Sequence, residues 1–240
     1  EHPLIGHLTD ILDPSGGKLS KRKGNVSVED FINRGYLKEA ILNFVLLMGW
    51  APKDNQELFT LEEFVEAFDE AGFQVSNPTL NLVKLDWFNG QYIRKSSDAE
   101  LIERAKNLFP ELEEKILTAV IPLIKERIVT LREIESIAGF IWKDVESWDA
   151  TLWKNLAKEH LTAASEVIEK SEIWKVEDVN EKFTTLISEN QWKTGDFFMN
   201  LRVAMSGQKI TPPITECIIL MNKSDVLERI NKARTSIENN

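Results

Sequence analysis

Gly17-Lys18-Leu19-Ser20-Lys21-Arg22-Lys23-Gly24 sets four cationic side chains and one hydroxyl between two glycines. Glycine lets a backbone approach a ligand closely and take up left-handed angles. Successive loop N–H groups can form a concavity for an anion. Lysine adds a mobile point charge suited to phosphate, and arginine a planar fork. Such a loop can hold a polyphosphate and release it again. A solvated basic turn has the same composition, so the loop by itself leaves both readings open.

The elements around it read as helices. Before the loop, Pro3, Gly6, Pro14, Gly16 and Gly17 break residues 1–17 into extended and turn structure. After it, Ser27 with Asp30 forms a capping-box pattern for a short helix that Gly35 closes. Leu37 to Met48 carries a wide apolar stripe at helical spacing. Thr60 with Glu63 and Ser97 with Glu100 open further helices, the second running over 98–108. Pro122 lies inside the apolar-periodic stretch 112–128, and the spacing predicts a kink or two short helices there. Thr130 with Glu133 caps the next element. Helices are expected over 152–168, 176–187, 196–205 and 214–221. A last helix is expected over 225–237, with Ser224 as its cap.

Other chemistry-bearing residues have plainer readings. Trp50, Trp87 and Tyr92 read as core aromatics, and Trp142, Trp148 and Trp153 as packing between helices rather than a base-stacking platform. His2 and His7 have no nucleophile or ligand cluster beside them and read as structural. His160 reads as surface or satisfied core. Cys217 sits in an apolar run and reads as a buried, inert thiol; one cysteine makes neither an intrachain disulfide nor a zinc cluster, and no metal site is expected. The chain has 240 residues, enough for one large or two ordinary domains, and a formal net charge of −10. A uniformly acidic surface repels RNA, so any RNA contact must be made by local basic patches. No apolar run has transmembrane length, and a cytoplasmic protein is the default. Glu1 rather than Met opens the chain and the basic loop follows almost at once, so a piece of a longer protein is expected.

Lys18-Leu19-Ser20-Lys21-Arg22 resembles the KMSKS signature of the class I aminoacyl-tRNA synthetases. Its flanks, Leu8-Thr9-Asp10-Ile11-Leu12-Asp13-Pro14 and Val26-Ser27-Val28-Glu29-Asp30-Phe31, resemble the bacterial-type glutamyl-tRNA synthetase version. Arg34 to Asn43 is similar to that family's "RGYLPEALLN", Gly49-Trp50 to its "LGW", and Lys84 to Ile93 to its "KLxWxNxxYI". Leu201 to Gly207 resembles "LRVALTG", and Pro212-Pro213-Ile214 a "PPLFE" ending. These matches follow one another in family order from about residue 3 to residue 233. Between about 95 and 195 the likeness is mainly one of helical pattern.

The resemblance implies a mainly α chain. Residues 1–25 would be the last piece of an α/β Rossmann-type catalytic domain with its signature loop. Residues 26–95 would form a helical stem-contact domain, and 96–155 and 156–240 two helical anticodon-binding subdomains. It also implies a reaction in which glutamate attacks the α-phosphate of ATP, expected with Mg2+, and the glutamyl group passes to the terminal ribose of a tRNA. Lys18, Leu19, Ser20, Lys21 and Arg22 would bind ATP, with Lys21 the catalytic cation. Arg22 stands where other class I enzymes carry Ser, and Lys23 adds charge without an assigned role. Lys125 to Leu131 resembles an "ERxxTL" stretch, which makes Arg127 the candidate for anticodon reading; a solvated helix-end arginine is the competing reading. The implied partners are tRNA(Glu), with tRNA(Gln) as an alternative acceptor, and ATP and glutamate in the intact enzyme. A monomer without membrane contact is expected. The partner signature His-Ile-Gly-His and a glutamate pocket are not found, so the chain alone is expected to bind tRNA without charging it. The alternative is a non-catalytic helical RNA-binding or regulatory module derived from the same family.

Overall fold

The computed structural model describes residues 8–20 and 27–238. They are helical, and among them β pairing is confined to isolated bridges at Leu12 and Trp50. The chain folds as two compact units. The first takes residues Glu1–Leu117 and Lys125–Glu133, the second Thr118–Ile124 and Ile134–Asn240.

In the first unit five helices follow one another: α1 (Val28–Asn33), α2 (Lys38–Gly49), α3 (Leu61–Ala67), α4 (Leu82–Lys95) and α5 (Asp98–Leu108). Complete capping boxes start α1, α3 and α5, at Ser27/Asp30, Thr60/Glu63 and Ser97/Glu100. Each cap replaces water on a backbone N–H that has no helical partner, a gain of about 1 kcal/mol. Helix α4 buries Leu85, Phe88 and Ile93 on one face against α2, where the Phe44 and Phe88 rings lie 6.3 Å apart. Trp50 closes a second cluster with Phe59, Phe64 and Phe68, its indole N–H donating to the Asp69 carbonyl at 2.9 Å.

Two buried asparagines tie loops to these helices. Asn43 of α2 donates to the Glu57 carbonyl at 2.8 Å and accepts from the Phe59 N–H and the Tyr92 hydroxyl, both at 2.7 Å. Asn89 of α4 accepts from the Leu37 N–H at 2.7 Å and donates to the Val129 carbonyl. Leu131 N–H then donates to the Gly35 carbonyl at 3.0 Å. Gly35 has φ +85°, and a Cβ there would stand 2.5 Å from the backbone nitrogen of Arg132. Both the angle and the contact require glycine.

Helix α6 (Glu114–Ile124) runs from the first unit into the second, and α7 (Glu133–Ala138) starts on the first unit's last residue. The second unit continues with α8 (Ala157–Lys170), α9 (Val176–Glu189), α10 (Thr194–Ser206), α11 (Ile214–Ile219) and α12 (Lys223–Glu238). Helix α10 packs against α8 and α12, with Leu161, Phe197, Leu201, Val226 and Ile230 buried between them. Arg229 of α12 is buried there. Its guanidinium donates to the carbonyls of Phe140, of Met205 at 3.1 Å and of Lys143 at 2.9 Å, joining α12 to the end of α10 and to the turn after α7. Asn200 of α10 accepts from the Lys154 N–H at 2.8 Å and donates to Nδ1 of His160 at 2.9 Å, which puts the imidazole proton on Nε2. Nε2 is buried without a hydrogen-bond partner, beside the Trp192 ring.

Several expectations are corrected. The helix expected from 152 starts at Ala157: a single 3-10 turn, Ala150–Leu152, comes first, and Leu156 interrupts with φ +61°. Pro122 does not split its helix. It lies in the last turn of α6, which stops two residues later. Helix α12 starts before Ser224, and Asn222, whose carbonyl accepts from Asp225 and Val226, occupies the cap. Glu133 accepts from the Val129 N–H at 3.2 Å while being itself the first residue of α7. Trp50 is buried as read and Tyr92 is half-buried, its hydroxyl donating to the Phe59 carbonyl at 2.6 Å, but Trp87 is exposed.

Replacing Arg229 with Leu takes the donor from the carbonyls of Phe140, Met205 and Lys143, the first two buried, and should cost about 3 kcal/mol of stability in urea unfolding, with Lys recovering part of it. A second expectation concerns pH. Burial lowers the His160 pKa below its ordinary 6.5 against smaller opposing pulls from Asp196 and Glu159. Unfolding lets the ring take up a proton, so the contribution of neutral His160 is complete above pH 6.5 and is lost as pH falls from 6.5 through the lower folded value. Stability measured across that window should fall on acidification, and His160→Gln should flatten the slope.

Candidate functional site

The loop grows from a narrow hairpin. Asp13 N–H donates to the Gly17 carbonyl, Gly16 N–H to the Asp13 carbonyl and Leu19 N–H to the Ile11 carbonyl, at 2.8 to 2.9 Å. The Asp13 carboxylate accepts from the N–H and hydroxyl of Ser15 and so closes the turn locally. Gly16 and Gly17 take φ +101° and +81°, the left-handed angles that fold the strand back. The hairpin is moored to the segment just ahead of α4: Leu12 N–H donates to the Pro78 carbonyl at 2.8 Å, and Leu80 N–H donates to the Leu12 carbonyl at 2.9 Å.

This hairpin carries Lys18, Leu19 and Ser20 out together. Lys18 Nζ lies 2.7 Å from Asp10 Oδ1, with both side chains more than half exposed. A pair that wet is worth at most about 1 kcal/mol, so an incoming phosphate can compete for the ammonium. Leu19 and Ser20 are half-buried. Lys21, Arg22, Lys23 and Gly24 lie outside the described residues, as do His2 and His7.

Arg127 sits elsewhere in the first unit, exposed in the turn that follows α6. The segment around it is firmly held. Lys125 Nζ bonds the Ser96 carbonyl and Asp98, Ile128 and Leu131 are buried, and Asn89 and Gly35 take the backbone beyond. Arg132 donates to the carbonyls of Asn33 at 2.9 Å and Leu108 at 3.1 Å and lies over the Phe109 ring. Beside this segment opens a polar cavity of about 530 Å³ lined in part by Arg34, Tyr36, Asp86, Thr130, Arg132 and Glu133. Arg34 lies against the Phe31 and Tyr36 rings. The Tyr36 hydroxyl donates to Asp86; burial and that carboxylate push its pKa up to about 12, so it remains a donor. The Tyr36 ring is buried with its hydroxyl taken by Asp86, and Arg132 is taken by the Asn33 and Leu108 carbonyls, so the polar groups around this opening hold the segment in place. Sequence reading missed this cavity because its walls are about a hundred residues apart. The visible signal was Arg34 and Tyr36 inside one matched motif and Thr130 inside another.

Cys217 is buried and its thiol is pushed up to about 12 by that burial, which leaves it inert near neutral pH. Among the described residues no group of three or more His, Cys, Asp or Glu side chains could hold a metal ion, and no helix is long and apolar enough to cross a membrane. These residues offer no cage for the Mg2+ expected with ATP.

The family described as the anticodon binding domain matches residues 100–234, more than half of the chain. The chain belongs to this family. Ahead of that anticodon-binding domain, residues 1–87 match the catalytic domain of the class I tRNA synthetases of the E and Q type. Glutamate–tRNA ligases are similar along almost the whole chain. That of Clostridioides difficile is 34% identical over 254 residues, covering 99% of this chain and 51% of its own length. One from Dehalococcoides mccartyi is 35% identical, covering 96% of this chain and 50% of its own. A crystal structure of a glutamate tRNA ligase from Elizabethkingia meningosepticum, in complex with its amino acid, superposes with a TM-score of 0.82 at 26% identity, over 99% of this chain and 52% of that one. The chain spans about half the length of the relatives it matches.

Proposed function

We propose that this chain is the tRNA-binding part of a glutamate–tRNA ligase, a cytoplasmic enzyme that activates glutamate with ATP and transfers it to tRNA(Glu). The observation that carries the reading is the order of parts on one chain: a catalytic-domain match ending near the start of α4, then an anticodon-binding match over the helices that follow. The cationic loop lies within the first match and Arg127 within the second.

In this reading glutamate attacks the α-phosphate of ATP and glutamyl-adenylate forms as the bond to pyrophosphate breaks; the terminal ribose hydroxyl of the tRNA then takes the acyl group and AMP leaves. The protein acts mainly by positioning and by stabilising charge on the leaving pyrophosphate. Lys21 supplies that charge, and Lys18, Leu19, Ser20 and Arg22 shape the loop and its phosphate contacts. The hairpin beneath gives the loop a root bonded to the segment just ahead of α4, while the exposed Lys18–Asp10 pair leaves its first cation exchangeable. The boundaries proposed for the parts are 1–25, 26–95, 96–155 and 156–240. Arg127 reads an anticodon base by the planar stacking and hydrogen bonding that suit single-stranded RNA.

The chain alone should bind tRNA(Glu) in a filter assay at low salt and lose affinity steeply as salt rises. Arg127→Gln should weaken that binding by about tenfold, within the range of a lost side-chain-to-base contact, and narrow the preference over tRNA(Gln). No binding at low salt would remove the reading, and an unchanged preference would remove Arg127 from it. In the full-length ligase, Lys21→Ala should slow ATP–pyrophosphate exchange by roughly 10²-fold, the order of one lost preorganised donor, and leave tRNA affinity as it was.

A further inference from the structure

Helix α3 leaves two stripes in solvent. The first is apolar. Leu61 and Val65 lie one turn apart, 54% and 66% exposed, and Phe68 ends the row, also exposed. The Phe68 ring meets the exposed Phe73 ring with centroids 5.6 Å apart, so the row continues into the turn beyond. At the other end Leu61 joins Leu42 and Leu46 of α2 in the wall of one cavity of about 610 Å³. The polar groups of that wall are already bonded. Asn43 and Tyr92 bind each other and the segment 57–59, and Glu39 accepts from both terminal nitrogens of Arg104 at 2.7 and 2.9 Å. What stays open is a joined aliphatic and aromatic ridge. Scattered exposed apolar residues are ordinary, but a contiguous set marks a surface meant to be covered.

The second stripe is anionic. Glu62 and Glu66 lie one turn apart, each next in sequence to an apolar residue of the first row, and Glu70 follows in the turn after Phe68. Nearby cations are engaged elsewhere: Lys53 pairs with Asp69, and Lys84 with Glu57 at 2.7 Å. Like charges one turn apart on a helix repel, and a cation laid across both relieves that cost. We propose that this ridge is the docking surface for a cationic amphipathic helix of a partner protein. Its apolar face would lie on Leu42, Leu61, Val65 and Phe68, and its lysines or arginines on Glu62 and Glu66. Charge chooses that occupant. RNA phosphates would meet carboxylates, and a second copy of a chain with net charge −10 would bring more of them. The row at i, i+4 and i+7 is the pattern by which one helix lies along another.

The probe is a labelled synthetic leucine–lysine peptide patterned as an amphipathic helix, with its leucine–glutamate counterpart as control, each titrated with this chain in fluorescence anisotropy. The lysine peptide should bind, lose affinity as salt rises and slow hydrogen exchange in α2 and α3, while the glutamate peptide should not bind. Val65→Asp should weaken binding by about tenfold or more. Glu62→Gln together with Glu66→Gln should weaken it by about threefold or more, the loss of two exposed ion pairs, and flatten its salt dependence. Ile173→Asp, an exposed position in the second unit, should leave binding unchanged. All these side chains are exposed, so each variant should keep its circular dichroism. Absence of binding would overturn the proposal, as would equal binding of the two peptides or of Val65→Asp and wild type. Three further outcomes would also overturn it. Self-association abolished by Val65→Asp would make a second copy the occupant. Loss of tRNA affinity in that variant would make the ridge an RNA surface. Slowed exchange of α3 on joining this chain to the unmatched half of the Clostridioides difficile ligase would make the rest of the ligase its cover.

Discussion

Loop backbone buried against helices must find hydrogen-bond partners, and here long-range polar side chains supply them. Asn43 and Asn89 in the first unit, and Asn200 and Arg229 in the second, each project from a helix into a neighbouring irregular segment. An unpaired buried carbonyl or N–H costs about 1–3 kcal/mol, so each anchor decides whether its loop lies down or stays in water. An amide suits the task because it offers both an acceptor and donors at one site. Asn89 uses both, holding Leu37 and Val129 together across the middle of α4.

That anchoring explains where the candidate site residues stand. The segment carrying Arg127 is distant in sequence from α1 and α2, yet Asn89, Gly35 and Arg132 fasten it to them. An exposed arginine on a fastened backbone presents its charge at a defined place. The cationic loop is built on the other principle. Its root is hydrogen-bonded on both sides, but its first lysine is held by only a wet ion pair.

Much of this was legible in the sequence because it is local. Three capping boxes, the stop at Gly35 and the stop of α10 at Gly207 follow from residue types within one turn of each other. What was not legible depends on distant residues. Ser224 looks like a cap, but the helix begins ahead of it. Trp87 points outward because the buried face of α4 runs through Leu85, Phe88, Asn89 and Ile93, and Trp87, two residues after the first and one before the second, falls off its edge. The cavity beside Arg34 and Thr130 had no signal beyond its membership in two separate motifs. Lys21 and Arg22 were named by likeness to a signature and lie outside the described residues, the hairpin being described as far as Ser20.

The glycines divide by the kind of constraint they answer. At Gly35 a side chain would meet backbone atoms, so crowding as well as handedness bars any replacement. At Gly16 and Gly17 a Cβ would meet nothing within 4 Å, and only their mirror-image torsion excludes an ordinary L-residue. The turn at these two glycines therefore owes its shape to chirality and not to packing, and the space beside them is open.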